Sequence, residues 1–321
     1  PAQAPEPAGL RVKDQGQVFS ENNLYGEGCH GVVLEDNALF ESLHDDFEGA
    51  AGWPTLFGDL STAKIHRGQW TGNTTHMGGV VGESPWTVPP ALTVEPRVVI
   101  TDSGFHTNTD GSAGSMGVEG FIVDGWKDDS KTPTTSTSGM VNVGVEFFNC
   151  VFHSNRVLSN YVYQSALLGF YGDSDGDVQN VTMGTNEAWA YIELESDSNL
   201  YLDDSILAHE DDKTSVYTAV VDTGSGTCTA DEVGWYNLDD GELGSGGTCV
   251  PTVGVHSDPE FEECDSYGSD YCLDYSTSPM VDASSEYINS LPSDQSYIET
   301  LNYYTDEAGT DDQDELDFGY H

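Results

Sequence analysis

Phe147-Phe-Asn-Cys-Val-Phe-His-Ser-Asn155 and Val178-Gln-Asn-Val-Thr-Met-Gly-Thr-Asn186 are the two stretches whose comparison decides the fold. Laid over one another, Asn149 meets Asn180, Phe152 meets Met183 and Asn155 meets Asn186. Each stretch holds apolar residues at or near alternate positions and then a polar or small residue that turns the chain. Alternation sends every second side chain of a strand to the same face. Leu202-Asp-Asp-Ser-Ile-Leu-Ala-His-Glu210 fits the same frame, and Val118-Glu-Gly-Phe-Ile-Val-Asp-Gly-Trp126 fits it more loosely. The four stretches begin at 118, 147, 178 and 202, so the offsets are 29, 31 and 24 residues. An antiparallel sandwich would also alternate, but repetition favours the coils of a parallel β-helix, in which each coil contacts only its neighbours. The reading predicts parallel stacked strands at 147–152, 178–183 and 202–207, with Phe152, Met183 and Leu207 in one inward column. Unequal offsets imply loops of different length at the corners.

Outward from these stretches the pattern loosens. Gly31-Val-Val-Leu34 and Arg97-Val-Val-Ile-Thr101 read as strands, while the Trp-, Gly- and Pro-rich stretch from Gly49 to Pro96 reads as a cap or large loop. The expected organisation is an irregular N-terminal cap with the first strands over 1–96, then a β-helix with a closing segment over 97–321. The Ser/Thr run from Asp128 to Ser138 reads as an exposed loop. With 37% hydrophobic residues and 36 Gly, many short strands and turns are favoured over long helices. The expected fold class is therefore all-β: a single right-handed parallel β-helix with an irregular N-terminal cap and long loops.

Charge narrows the partners. Nine Lys and Arg face 56 Asp and Glu, a net charge of −47, and no basic residue follows Lys213. Such a surface repels nucleic acid and anionic lipid, repels uronate polymers unless divalent cations bridge the contact, and attracts cations. Ca²⁺ loading, adaptation to high salt and plain solubility all fit that balance. No hydrophobic stretch approaches the length of a membrane span.

The six cysteines are Cys29, Cys150, Cys228, Cys249, Cys264 and Cys272, with no CxxC and no zinc spacing. Cys228 and Cys249 bracket a Gly-rich loop, and Cys264 and Cys272 a short polar one, so both pairs suit local disulfides in an oxidising compartment. Cys150 sits among apolar residues and suits a buried free thiol. The opening PAQAPEPAGL reads as the start of a mature exported protein. Together these lead to an expectation of a secreted, extracellular or cell-surface protein.

The C-terminal region reads Asp258-Pro-Glu-Phe261, then Asp270-Tyr-Cys-Leu-Asp-Tyr-Ser-Thr-Ser-Pro279-Met-Val-Asp282-Ala-Ser284, and ends Asp317-Phe-Gly-Tyr-His321. This resembles the closing signature of bacterial secreted right-handed β-helix proteins of the pectate-lyase-like superfamily. The resemblance implies architecture and export. It does not imply one activity, since the group includes lyases, hydrolases, adhesins and surface proteins.

Catalytic sets of that group are incomplete here. A lyase needs a cation near the scissile bond and a Ca²⁺ site; Arg156 after Asn155 is the best single basic candidate, and an ion-pair partner is the plainer reading. A hydrolase would use carboxylates such as those of Asn108-Thr-Asp110 and Asp203-Asp204, but the companion GHG and RxK elements are absent in the expected order. Trp126 and Trp189 are sugar-stacking or packing candidates. Asp173-Ser-Asp175-Gly-Asp177 gathers three carboxylates around a Gly, as short Ca²⁺ loops do, with Asn180 as a further oxygen donor. The expectation is an extracellular structural or adhesive protein, non-enzymatic and stabilised by Ca²⁺ or other cations. Its open ends suit self-assembly into a polymer. A polysaccharide-active enzyme is the alternative, with a glycan as the further partner.

Overall fold

The computed structural model describes residues 8–26, 30–58, 60–82, 97–108, 119–125, 143–157, 166–195, 197–209, 218–222, 224–238, 243–244, 249–262, 272–273 and 277–280. All regular elements among them are strands. The first ten are β1 (Ala8–Val12), β2 (Gln17–Glu21), β3 (Leu24–Gly26), β4 (His30–Leu34), β5 (Leu39–Leu43), β6 (Asp46–Glu48), β7 (Thr55–Gly58), β8 (Thr62–His66), β9 (Gln69–Thr71) and β10 (His76–Val81). Next come β11 (Arg97–His106), β12 (Glu119–Asp124), β13 (Val143–His153), β14 (Arg156–Val157), β15 (Ala166–Tyr171), β16 (Ser174–Gly184), β17 (Glu187–Ala188) and β18 (Ala190–Leu194). The chain continues through β19 (Asn199–Asp203), β20 (Ser205–Ala208), β21 (Thr218–Asp222), β22 (Thr227–Tyr236), β23 (Pro251–His256), β24 (Phe261–Glu262) and β25 (Cys272–Leu273).

These strands form stacked parallel sheets, the arrangement of a parallel β-helix. Sheet A runs β1-β4-β7-β10-β12-β15-β18-β21. Sheet B runs from β2 through β5, β8, β11, β13 and β16 to β19, β20, β22 and β23, with β3, β6 and β9 alongside. Every pairing in these two sheets is parallel; the short β24–β25 pair is antiparallel.

The expected column exists. Phe152 pairs with Met183 and Met183 with Leu207, all three buried. It extends well beyond them, through Tyr25, Phe47, Trp70 and Phe105 on one side and Trp235 and His256 on the other. Ring centroids stack at 4.6 Å for Phe47–Trp70, 4.3 Å for Trp70–Phe105 and 4.4 Å for Phe105–Phe152. Beside it runs a buried Asn ladder. The Asn73, Asn108 and Asn155 side chains each donate to the next Asn Oδ1 at 2.9, 2.9 and 3.0 Å, ending on Asn186. Each also donates to a main-chain carbonyl of the preceding coil: Phe47, Trp70 and Phe105 in turn. A side chain with two donors and an acceptor is what lets a turn be buried without stranding polar groups.

A second set of equivalent turns carries φ near +50°: Asn22, His44, Arg67, Asp102, Asn149, Asn180 and Asp204. Asn and Asp tolerate this left-handed conformation better than most residues. The turn bends each coil at the same place, and Asn149 donates to Asp102 at 2.6 Å to link two of them.

Three expectations need correction. Residues 8–82 are not an irregular cap: β1–β10 enter the same two sheets, and β8 pairs directly with β11. The loosely matching stretch at 118–126 belongs elsewhere, because β12 lies in sheet A between β10 and β15. Alternation fixes which side chains face inward but not which sheet they join. Thirdly, the acidic stretch at 173–177 is not a loop, since Ser174–Gly184 is strand β16. Gly176 faces the interior, where an added Cβ would collide with the Phe170 ring, so its role is packing rather than bending.

Cys228 and Cys249 form a disulfide, with Cα atoms 5.1 Å apart. Cys150 is buried and free, and burial raises its thiol pKa well above the ordinary value. Cys29 and Cys264 lie outside the described residues, and with Cys264 the expected Cys264–Cys272 pair. The Asp258-Pro-Glu-Phe261 segment makes a tight turn in which Asp258 accepts from the Glu260 amide at 3.0 Å. The stretch from Val281 to His321 also lies outside the described residues.

Candidate functional site

The outer face of sheet B is where polar side chains accumulate in register. Arg97, Gly144, Asp175, Asn199 and Thr227 stand opposite one another on successive strands. Two residues further along, Val99, Glu146, Asp177, Tyr201 and Thr229 form a parallel row. A shallow cleft of about 340 Å³ opens over the two rows. Gly144 contributes no side chain to it, which leaves the floor low between Arg97 and Asp175.

The lining groups hold one another in place. Thr227 Oγ1 donates to Asn199 Oδ1 at 2.6 Å, and Asn199 Nδ2 donates to Asp175 Oδ1 at 2.9 Å. Gln179 Nε2 donates to Asp177 Oδ1 at 2.9 Å. Tyr201 Oη donates to Asp203 Oδ2 at 2.8 Å, while Asp203 Oδ1 accepts the Glu232 amide at 3.1 Å. Arg97 Nη1 lies 3.6 Å from Glu146 Oε1.

Electrostatics follow from this crowding. Burial raises the Asp177 pKa, and the nearby Glu146 and Asp203 raise it further against the Gln179 hydrogen bond. Burial also raises that of Asp203, with Tyr201 opposing and Asp231 adding. The Tyr201 phenol is pushed up by burial and by donation to Asp203. Carboxyls held up in this way keep a proton longer and can donate as well as accept.

The structure brings Asp175 and Asp177 together on this face. Alternate strand positions put their Cα atoms about 7 Å apart. Asp173 lies just before β16, and Asn180 is a buried residue with a left-handed backbone. Among the described residues no group of three His, Cys, Asp or Glu is placed to hold a metal ion. Arg156 pairs with Glu187 at 2.8 Å, the plainer of its two readings. Asn108 belongs to the interior ladder, Asp203 lines the outer face and Asp204 is a turn residue. Trp189 packs against Ala166, Ala190 and Val221, while Trp126 and Asp110 lie outside the described residues.

Sequence reasoning missed Glu146 and Tyr201. A signal for them existed. Glu146, Asp177 and Tyr201 each precede a left-handed turn residue (Asn149, Asn180, Asp204) by three positions, so the repeat frame places all three in one outward row. It also missed Glu193 on sheet A. This fully buried carboxyl accepts from Tyr171 Oη at 3.0 Å, leaves Oε1 without a hydrogen bond, and is pushed by burial to a pKa of about 8, with Glu195 adding to the effect.

Comparison with protein-family models, with curated proteins and with solved structures finds no match.

Proposed function

We propose that the chain is a secreted, extracellular structural protein of adhesive type, built as one right-handed solenoid and stabilised by cations, Ca²⁺ among them. Its adhesive surface is the cleft on the outer face of sheet B, and its ligand is a neutral glycan. The observation that carries this reading is the in-register double row from Arg97 to Thr227 and from Glu146 to Thr229. Hydrogen-bonding groups repeat there at the strand spacing of roughly 4.8 Å, which suits an extended polymer lying across the strands. The carboxyls favour hydroxyl donors and repel phosphate and uronate. Right-handedness is supported by the strong preference of parallel crossovers for that hand. Export is supported by the Cys228–Cys249 disulfide and by the resemblance to secreted β-helix proteins.

A screen of immobilised neutral, cationic and uronate polysaccharides tests the reading. Retention on neutral glycans that is lost in Asp177→Asn and Tyr201→Ala supports it. Equal retention by the variants, or binding only to uronates, overturns it.

One observation favours an enzymatic second reading. Asp203 lies one strand over and two residues along from Asp177, about 8 Å between Cα atoms. Both carboxyls have raised pKa values. Inverting glycosidases use a pair of carboxyls, one as general acid and one as general base. Release of reducing ends by the wild type, abolished in Asp203→Asn, would select this reading over simple adhesion.

A further inference from the structure

The two ends of the solenoid match each other. The inner aromatic column begins at Tyr25, which is half-buried and stacks on Phe47 at 5.8 Å. It finishes at His256, which is exposed and stacks on Trp235 at 5.3 Å. Both terminal rings therefore lie, among the described residues, at the ends of a stack that is otherwise continuous through the coils. Among the described residues, β2 pairs only with β5 and β23 only with β22, so each end of sheet B also offers an open parallel edge. The exposed large hydrophobic side chains among the described residues divide between these same ends. Phe19 and Leu24 are 67% and 53% exposed on β2 and β3; Val250 and Val253 are 68% and 42% exposed at β23. Charge does not set the two ends apart: Arg11 and Lys13, in the first strand and its turn, both pair with Glu35, and Asp258, Glu260 and Glu262 follow β23.

We propose that a second copy of this chain docks head to tail, the β23 end of one copy against the β2–β3 end of the next. This deepens the proposed extracellular structural role by naming the partner and the surfaces. A parallel edge is complementary to the opposite edge of an identical sheet. Head-to-tail docking keeps all strands parallel, extends both backbone ladders and continues the stack from His256 to Tyr25. It also covers the four exposed apolar side chains. Tail-to-tail and head-to-head docking would each reverse strand direction across the contact. A heterologous contact of this kind does not close on itself, so the product is a linear polymer. Because each copy carries −47, long-range repulsion opposes assembly until salt screens it.

Sedimentation velocity and negative-stain microscopy of the full chain, in a concentration series at low and high NaCl, test this. The expected result is salt-promoted growth into unbranched filaments. Phe19→Asp and Val253→Asp each block one end, so each alone sediments as a monomer with an unchanged circular dichroism spectrum. Mixed in equal amounts, they form a dimer and nothing larger, because each retains the end the other lacks. A wild type that stays monomeric throughout, a variant that dimerises alone, or a mixture that gives no dimer overturns the proposal. Glycan retention measured on monomeric Phe19→Asp reads the cleft separately, so failure of assembly is distinguishable from failure of the adhesive reading.

Discussion

Replacing Glu193 by Gln should flatten the stability of this protein against alkaline pH. Glu193 is fully buried, and its pKa rises from an ordinary 4.5 to about 8 in the folded chain. In the unfolded chain the group ionises near its ordinary value. The folded state thus holds a proton that the unfolded state has released. For a raised carboxyl the contribution is fully present below about 4.5 and is lost as pH rises through about 8. Between pH 6 and pH 9 ordinary carboxylates are already ionised, which isolates this group. From pH 6 to the folded pKa is about two units at roughly 1.4 kcal/mol each, so the wild type should lose about 3 kcal/mol through Glu193. Gln keeps an acceptor for Tyr171 and cannot ionise, so that loss should vanish. Urea unfolding of both proteins at several pH values, in constant high salt, measures it. The raised carboxyls of Asp177, Asp203 and Glu195 act with the same sign but are common to both proteins. Parallel pH profiles for wild type and variant would refute the reasoning.

Other perturbations test other parts. Asn155→Ala removes a buried group that bridges Asn108, Asn186 and the Phe105 carbonyl, and should cost about 3 kcal/mol or more, read as a fall in the melting temperature. Phe105→Ala opens the aromatic column between Trp70 and Phe152, with an expected loss of about 3–5 kcal/mol in urea unfolding. Cutting the Cys228–Cys249 disulfide, which spans 21 residues, should cost about 3 kcal/mol by loop entropy, measured on the double Ser variant. Ca²⁺ should raise the melting temperature more than Na⁺ at equal ionic strength. Asp175→Asn should remove most of that difference if the cleft carboxyls are the ligands and almost none of it if screening is diffuse.

The repeat was legible where coils use Asn at the turns. Asn149 and Asn180 adopt the left-handed conformation, Asn155 and Asn186 join the interior ladder, and matching them set the register that puts Phe152 over Met183. The N-terminal coils escaped because the same turn is made there by His44 and Arg67, whose residue types do not announce it. The aromatic column supplied no cue either, since Phe47 and Trp70 sit on three-residue strands too short to show alternation. The acidic stretch misled for a related reason. Asp at positions 173, 175 and 177 has the spacing of a Ca²⁺ loop and also that of one face of a strand. Burial of Gly176 beneath Phe170 decides for the strand. The cleft itself depends on neighbours from five strands, a juxtaposition that becomes visible only once the register is known.

The central claim is that the outer face of sheet B is the binding face, and carbodiimide labelling of carboxyls read by mass spectrometry tests it most directly. With a saturating neutral polysaccharide, labelling of Asp175 and Asp177 should fall several-fold. Asp14, on the turn after β1, and Glu187, paired with Arg156, should label as before. Unchanged labelling in the cleft, or an equal fall at all four positions, would contradict the claim.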